Sequence, residues 1–386
     1  MKPIVRTCTR RVVLALVLAL STLALPAVSR AATPSIAVTP IAGSVVLRWS
    51  GMSLAANQHF EVESSPGTFS CRTTSSQCTV AVTATFPVLK FRVKQLSAAG
   101  AVVATSPWSM SIKTTHLIVV AGQSNAAGFA AETKVTKEKF NLWSGPGRSG
   151  ADTSTDFVEV GCGMKQVGPV PQKLNTPQVL LANKATIFGP EVGIARALWS
   201  AGWKNVVISK VTCGGTDLEH FWYQGSDQFT LLLTTTIGLE NWYAAHGTVA
   251  VLSGAFWVQG ETDSQDLATA NDYYLHAHDL IESVRSATFS VPTFPIIAGS
   301  IDMSMWISHT AYVNGKCETA ACLSYQAGNL AVRTADLRLA QDVPNTFLVD
   351  TKGLPRDPID YVHITSAGMI KLGGLLGAKF LKVAKR

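Results

Sequence analysis

Apolar and polar positions alternate through residues 33 to about 114. Val45-Val46-Leu47-Arg48-Trp49, Phe60-Glu61-Val62-Glu63 and Leu89-Lys90-Phe91-Arg92-Val93-Lys94 place apolar side chains at every second position, the period of half-buried strands. Turn-forming segments (Ala42-Gly43, Ser65-Pro66-Gly67, Ala98-Ala99-Gly100) punctuate them, and no convincing helix intervenes. This pattern predicts a small all-β sandwich. From about residue 115 the pattern changes to short apolar runs separated by helical periodicity. Strands are predicted over 116–121, 205–211, 249–257, 294–300 and 346–350. Helices are predicted from Gly189-Pro190-Glu191 to Gly202, from about Asp266 to Arg285, and from Ser366 to about Lys385. Strands that alternate with helices imply βαβ units and a parallel sheet, hence an α/β fold. The stretch 130–188, rich in glycine and proline, reads as loops folding over a site.

The chain has 386 residues, 47% hydrophobic and 15% charged, which suits a globular protein of two domains. Lys2, Arg6, Arg10 and Arg11 precede an apolar stretch from Val12 to about Leu25, followed by Pro26 and Ser29-Arg30-Ala31. That order is the pattern of a secretory signal peptide cleaved near Ala31, and the apolar run is shorter than the roughly 20 residues a membrane span needs. The expected division is therefore a signal peptide at 1–31, a β-sandwich at 32–114 and an α/β domain at 115–386, in a secreted or periplasmic protein without a stable membrane anchor. The formal charge of +7 falls to +2 once the five cations of residues 1–31 are set aside, because that segment holds no acid. With no basic cluster left, neither nucleic acid nor an anionic membrane is an expected partner.

Six cysteines remain after Cys8 leaves with the signal: Cys71, Cys78, Cys162, Cys213, Cys317 and Cys322. An even number agrees with an oxidising compartment. Short spacings favour Cys71 with Cys78 and Cys317 with Cys322, leaving Cys162 for Cys213. No Cys-x2-Cys or His-x3-His spacing supports a zinc site, so no metal is expected.

Candidate chemistry gathers at predicted strand ends. The run His116–Ala121 stops in Gly122-Gln123-Ser124-Asn125-Ala126-Ala127-Gly128, which presents Ser124 where open α/β sheets bind ligands. The second strand leads into Cys213-Gly214-Gly215-Thr216, whose glycines let backbone N–H groups approach a substrate oxygen. The third ends in Trp257-Val258-Gln259-Gly260-Glu261-Thr262-Asp263, and the fifth precedes Asp360-Tyr361-Val362-His363. A serine hydroxyl needs a base to take its proton, and an imidazole oriented by a carboxylate is the usual one. Ser124 is thus the candidate nucleophile, His363 the base and Asp360 its orienter. The N–H groups of Ser124 and of Gly214 or Gly215, with the Gln259 amide, are the candidate oxyanion donors. Gln123, Asn125, Glu191, Thr216 and Glu261 are candidates to contact substrate. Trp143, Trp222, Trp257 and Trp306 read as core residues sooner than as a sugar platform, and His220, His276 and His278 as structural or surface residues.

Taken in order, Gly122-Gln123-Ser124-Asn125, Phe188-Gly189-Pro190-Glu191, Gly214-Gly215-Thr216, Trp257-x-Gln-Gly-Glu-x-Asp263 and Asp360-x-x-His363 resemble the sialate O-acetylesterase and plant-type acetylxylan esterase branch of the SGNH hydrolases. The resemblance spans nearly all of residues 116–386. It implies a three-layer flavodoxin-like fold, removal of O-acetyl groups from carbohydrates without a cofactor, and Ser124, Asp360 and His363 as a triad. In it Gln259 stands where other branches have asparagine. The branch usually has methionine where this chain has Ala126, which predicts a roomier wall beside the nucleophile. The front segment resembles a fibronectin type III domain in its pattern, with Trp49 early, Phe91 and Val93 late, and Ser106-Pro107-Trp108-Ser109 near its end. Two other readings remain open: a non-catalytic carbohydrate-binding or adhesive protein, and an esterase acting on lipids or thioesters. Oligomeric state is not legible.

Overall fold

A computed structural model describes residues 33–128, 188–288, 295–311 and 314–384, and the backbone of short strands at 156–161, 172–173, 178–179 and 186–187. The signal-peptide reading, Trp143, Cys162 and most of the expected 130–188 loops lie outside these residues. Seven strands come first: β1 (Ser35–Ile41), β2 (Ser44–Ser50), β3 (His59–Ser65), β4 (Cys71–Thr73), β5 (Gln77–Ala81), β6 (Val88–Leu96) and β7 (Val102–Thr105). They form two antiparallel arrays, β1-β2-β5 and β4-β3-β6-β7. Their alternating side chains, among them Val45, Leu47, Trp49, Phe60, Val62, Phe91 and Val93, close on one apolar core. The disulfide Cys71–Cys78 staples β4 to β5.

The central sheet is built on β8 (Ile112–Gly122), which ends at the four-residue α1 (Ser124–Ala127). Next come β9 (Asp156–Gly161), β10 (Gln172–Lys173), β11 (Gln178–Val179), β12 (Thr186–Ile187), α2 (Glu191–Ser200), β13 (Val206–Thr212), α3 (Leu218–Phe221), α4 (Asp227–Ala245), β14 (Thr248–Val258), α5 (Leu267–Thr288), β15 (Ile296–Gly299), α6 (Ser304–Trp306), α7 (Ala320–Asp342), β16 (Thr346–Val349) and α8 (Ser366–Val383). The strand order is β10-β9-β13-β8-β14-β15-β16, and every pair from β9 to β16 is parallel. Of the five predicted strands all are present, the first extended back to Ile112. Two long helices, α4 and α7, were not predicted.

Side-chain alternation along β8 makes the layers. Leu117, Val119 and Ala121 face a core shared with α4, α5 and α7. Ile118 and Val120 face the opposite core, shared with α2 and α8. There α2 and α8 approach so closely that a Cβ on Gly373 would lie 2.0 Å from the Pro190 carbonyl oxygen. The front sheets join the amino end of this assembly. Val88 and Leu89 of β6 pair with Lys113 and Ile112 of β8, and Val249 and Val251 of β14 are buried in the front core. The expected boundary between 114 and 115 therefore falls inside β8.

Candidate active site

The parallel registers align Gly161, Thr212, Gly122, Val258, Gly299 and Val349 as consecutive partners across the sheet. Strands β8, β13, β14, β15 and β16 leave the sheet at this line, so the segments after them share one edge. Gly122 makes the exit after β8 possible. Its φ is +135°, and a Cβ there would meet the Val258 carbonyl oxygen at 2.0 Å, so only glycine fits. The chain then turns at once into α1, where Ser124 is the first residue and 6% exposed. Gln123 N–H donates to Val258 O and Cys213 N–H to Gly122 O, both at 3.0 Å, fixing the turn to its neighbours.

Asn125, fully buried, joins this turn to the last loop. Its Oδ1 accepts the Ile364 N–H at 2.9 Å, and its Nδ2 donates to Val362 O at 3.3 Å and to Glu261 Oε1. Ser124 precedes Asn125, and His363 lies between Val362 and Ile364, so these bonds hold the serine turn against the histidine loop. Within that loop His363 Nδ1 lies 2.7 Å from Asp360 Oδ2. Asp360 Oδ1 accepts the N–H groups of Val362 and His363, both at 2.9 Å. Burial opposes ionisation of Asp360, but the imidazole and the two backbone donors outweigh it and hold its pKa below the ordinary value. Buried Arg356 donates to Val362 O from the other side. Burial lowers the Arg356 pKa, with Glu261, Asp302 and Asp360 opposing that shift.

On the opposite flank, Gly214 and Gly215 are exposed. Thr216 beneath them is buried, its hydroxyl donating to Cys213 O at 2.8 Å and accepting from Trp222 Nε1 at 2.9 Å. The Gln259 amide, an expected oxyanion donor, is bonded within the protein. It is fully buried, and Nε2 donates to Thr216 O at 2.9 Å, to Asp263 Oδ2 and to Gln123 Oε1 at 3.3 Å. Thr216 O can only accept, and Gln123 Oε1 already receives the Gly260 and Thr262 N–H groups, so nitrogen is the atom that fits there. Gln259 thus ties three strand ends together. Asp263, whose Oδ1 accepts the Leu218 N–H at 3.0 Å, has its pKa raised to about 6 by burial.

The expected substrate contacts are buried as well. Gln123, Asn125, Glu191, Thr216 and Glu261 are each at most 3% exposed, and their hydrogen bonds build the floor of the site. Glu191 lies under the serine turn, 3.1 Å from Lys210 Nζ, and accepts the Gly189 N–H at 2.8 Å; Lys210 donates to Ala127 O at 2.9 Å. Sequence reading missed Lys210 and Arg356. The only signal for Lys210 is a lysine in the otherwise uncharged strand Val206–Thr212. Ala126 is fully buried against the α2 and α8 core, so its small side chain changes packing under the turn and not an open wall. Trp222 is a core residue in edge contact with Trp257 at 4.9 Å. His220 is an exposed partner of Asp217.

Cys317 pairs with Cys322, and Cys213 is disulfide-bonded, while its expected partner Cys162 lies outside the described residues. Among the described residues no group of three or more His, Cys, Asp or Glu side chains is placed to hold a metal ion, and no helix is long and apolar enough to cross a membrane. An internal cavity of about 60 Å³ sits under α4, α5 and α7, lined by core side chains such as Leu252, Tyr273 and Leu280 and by none of the serine, histidine or glycine-turn residues.

Residues 114–382 match the family described as "SASA: Carbohydrate esterase, sialic acid-specific acetylesterase". Over 196 residues the chain is 28% identical to a probable carbohydrate esterase of Arabidopsis thaliana, an alignment covering 50% of this chain and 63% of that relative, under two thirds of its length. An X-ray structure of an Arabidopsis thaliana protein superposes with a TM-score of 0.50 at 19% identity, covering 70% of this chain and 98% of that one, which shows a common fold. A carbohydrate acetylesterase from Xanthomonas citri superposes with a TM-score of 0.47 at 15% identity, over 92% of this chain and 76% of that one.

Proposed function

Because the chain belongs to the sialic acid-specific acetylesterase family of carbohydrate esterases, we propose that it is a serine esterase that removes O-acetyl groups from a glycan. The observation that carries this reading is the Asn125 bridge, which sets the turn bearing Ser124 against the loop bearing the Asp360–His363 pair. Ser124 Oγ attacks the acetyl carbonyl carbon while His363 takes its proton. Asp360 holds the imidazole with Nδ1–H toward the carboxylate and stabilises the imidazolium. The tetrahedral oxyanion is met by backbone N–H groups, that of Ser124 at the start of α1 and that of Gly214 or Gly215 on the exposed turn. Collapse breaks the bond to the sugar oxygen, which leaves with the proton from His363. Water, deprotonated by His363, then attacks acetyl-Ser124, releasing acetate and restoring the serine hydroxyl.

No step needs a cofactor. The signal-like segment directs the mature chain out of the cytoplasm, to the periplasm or beyond, and the fibronectin type III-like front module serves as a spacer or docking module. The test is acetate release from a panel of acetylated glycans and from p-nitrophenyl acetate. Ser124→Ala is expected to abolish turnover by at least 10³-fold, in the range of removing a triad member. Full activity in that variant would remove Ser124 as nucleophile.

A further inference from the structure

The chain between the orienting carboxylate and the base carries a residue the mechanism does not use. Tyr361 sits at φ +58°, the left-handed region that bulky side chains rarely adopt. The loop enforces it: Tyr361 N–H donates to Asp357 O at 2.9 Å, and the next two N–H groups are held by Asp360 Oδ1. Glycine or asparagine would take this backbone with less strain, yet a large aromatic ring stands here, one residue from Asp360 and two from His363.

The ring is met by a second one from another strand end. His309 stacks on Tyr361 with centroids 3.8 Å apart and planes 16° from parallel. It comes from the exit of β15, where Asp302 Oδ1 accepts the Ser304 N–H at 3.1 Å and α6 runs into the turn Ile307–Ala311. That segment is anchored by Ile307, 3% exposed, and by Trp306 in edge contact with Tyr325 at 4.9 Å. His309 Nδ1 lies 2.9 Å from Met305 O, which as a carbonyl can only accept, so Nδ1 carries the proton. His309 is exposed and Tyr361 half-buried.

We propose that Tyr361 and His309 form a stacking platform for a pyranose ring of the acetylated glycan, next to the sugar oxygen released at Ser124. The inference rests on the esterase reading and names what surrounds the reacting acetyl group. The C–H face of a pyranose is apolar and packs on aromatic faces. Rings already held together by two anchored segments lose little freedom when a sugar docks. The platform therefore selects acetylated sugars over acetates of acyclic alcohols.

The test compares kcat/KM on partially O-acetylated xylo-oligosaccharides and on an O-acetylated sialoside with kcat/KM on ethyl acetate, which has no ring to stack. Tyr361→Asn suits the left-handed backbone and so removes the ring with the loop intact; His309→Ala removes the partner from the other segment. Each is expected to lower the sugar-to-ethyl-acetate ratio about tenfold, mainly through KM, while Tyr361→Phe retains it. Wild-type deacetylation of the sugars with ratios unmoved in both variants, or equal losses on sugar and ethyl acetate, would overturn the platform and leave the esterase reading standing. A wild-type protein that hydrolyses ethyl acetate but none of the sugars would overturn both.

Discussion

Asn125 joins its own turn to two other pieces of chain with one amide: Glu261 after β14, and the loop in which Val362 and Ile364 flank His363. Such a residue need not touch substrate to control rate, because misplacing a base by about 1 Å can lower turnover roughly 10²-fold. Asn125→Ala frees the histidine loop and strands the Ile364 N–H and the Glu261 carboxylate, costing about 1–3 kcal/mol of stability. The expected result is a kcat reduced about 10- to 100-fold with KM moved less than threefold, in a protein that still melts cooperatively. Equal losses in kcat and in the fraction folded would reduce Asn125 to a structural part. At this scale the sequence showed which residue types meet at the sheet edge, because the motifs follow strand ends directly. It did not show how each side chain is used. Gln259, Glu191 and Thr216 carry chemistry in their composition, but burial turns them inward, and burial depends on partners that lie farther off in sequence, such as Gln123 for Gln259 and Lys210 for Glu191.

Among the elements, the parallel strands were legible because each is a short β-branched run with glycine or a polar turn at its end. Helices α2, α5 and α8 were legible from their amphipathic faces and, for α2, from the proline at its start. The two missed helices lack that contrast. Asp227–Ala245 carries Thr234-Thr235-Thr236 and Gly238, poor helix formers, and Ala320–Asp342 exposes Leu323, Leu330 and Leu337 on its outer side. Helix α4 also buries a carboxylate. Glu240 is 2% exposed, its Oε2 has no hydrogen-bond partner among the described residues, and burial raises its pKa from 4.5 to about 8. Below pH 4.5 both states hold the proton and the group is neutral to stability. Between pH 4.5 and 8 the unfolded chain releases the proton while the folded chain keeps it, so stability falls as pH rises, and the loss is complete above pH 8. Each unit of displacement corresponds to about 1.4 kcal/mol. Glu240→Gln removes this slope, so its melting temperature relative to wild type is expected to climb from pH 4.5 to pH 8.5. A difference that stays flat across that range would show that Glu240 ionises freely. Asp263 adds a second loss of the same sign between pH 3.8 and about 6.

In the whole molecule, the front module and the catalytic sheet are joined through a shared core at the end farthest from the chemistry. Ten residue steps of β8 separate Ile112, paired to β6, from Gly122 beside Ser124, roughly 33 Å at the usual rise of a parallel strand. The front core, by contrast, is continuous with the sheet. Val249 and Val251 of β14 are at most 5% exposed within it, Gly43 N–H donates to Ala250 O at 3.3 Å, and Thr114 N–H donates to Pro87 O at 3.0 Å. Removing residues 1–114 therefore uncovers two valines, each worth about 1.5–3 kcal/mol when buried, and cuts Ile112, Lys113 and Thr114 from the start of the central strand. Against a total stability of about 5–15 kcal/mol, that loss is large. The truncated protein is expected to melt at least 10 °C below the full chain or to aggregate, and Val249→Thr with Val251→Thr should recover solubility in the truncated protein while lowering the melting temperature of the full chain. In whatever fraction stays folded, kcat/KM on p-nitrophenyl acetate should remain within about threefold of the full chain, because the lost contacts lie a strand's length from Ser124. A truncated protein that melts with the full chain would show the shared core to be dispensable, and one that is stable but inactive would place the front module in the catalytic machinery.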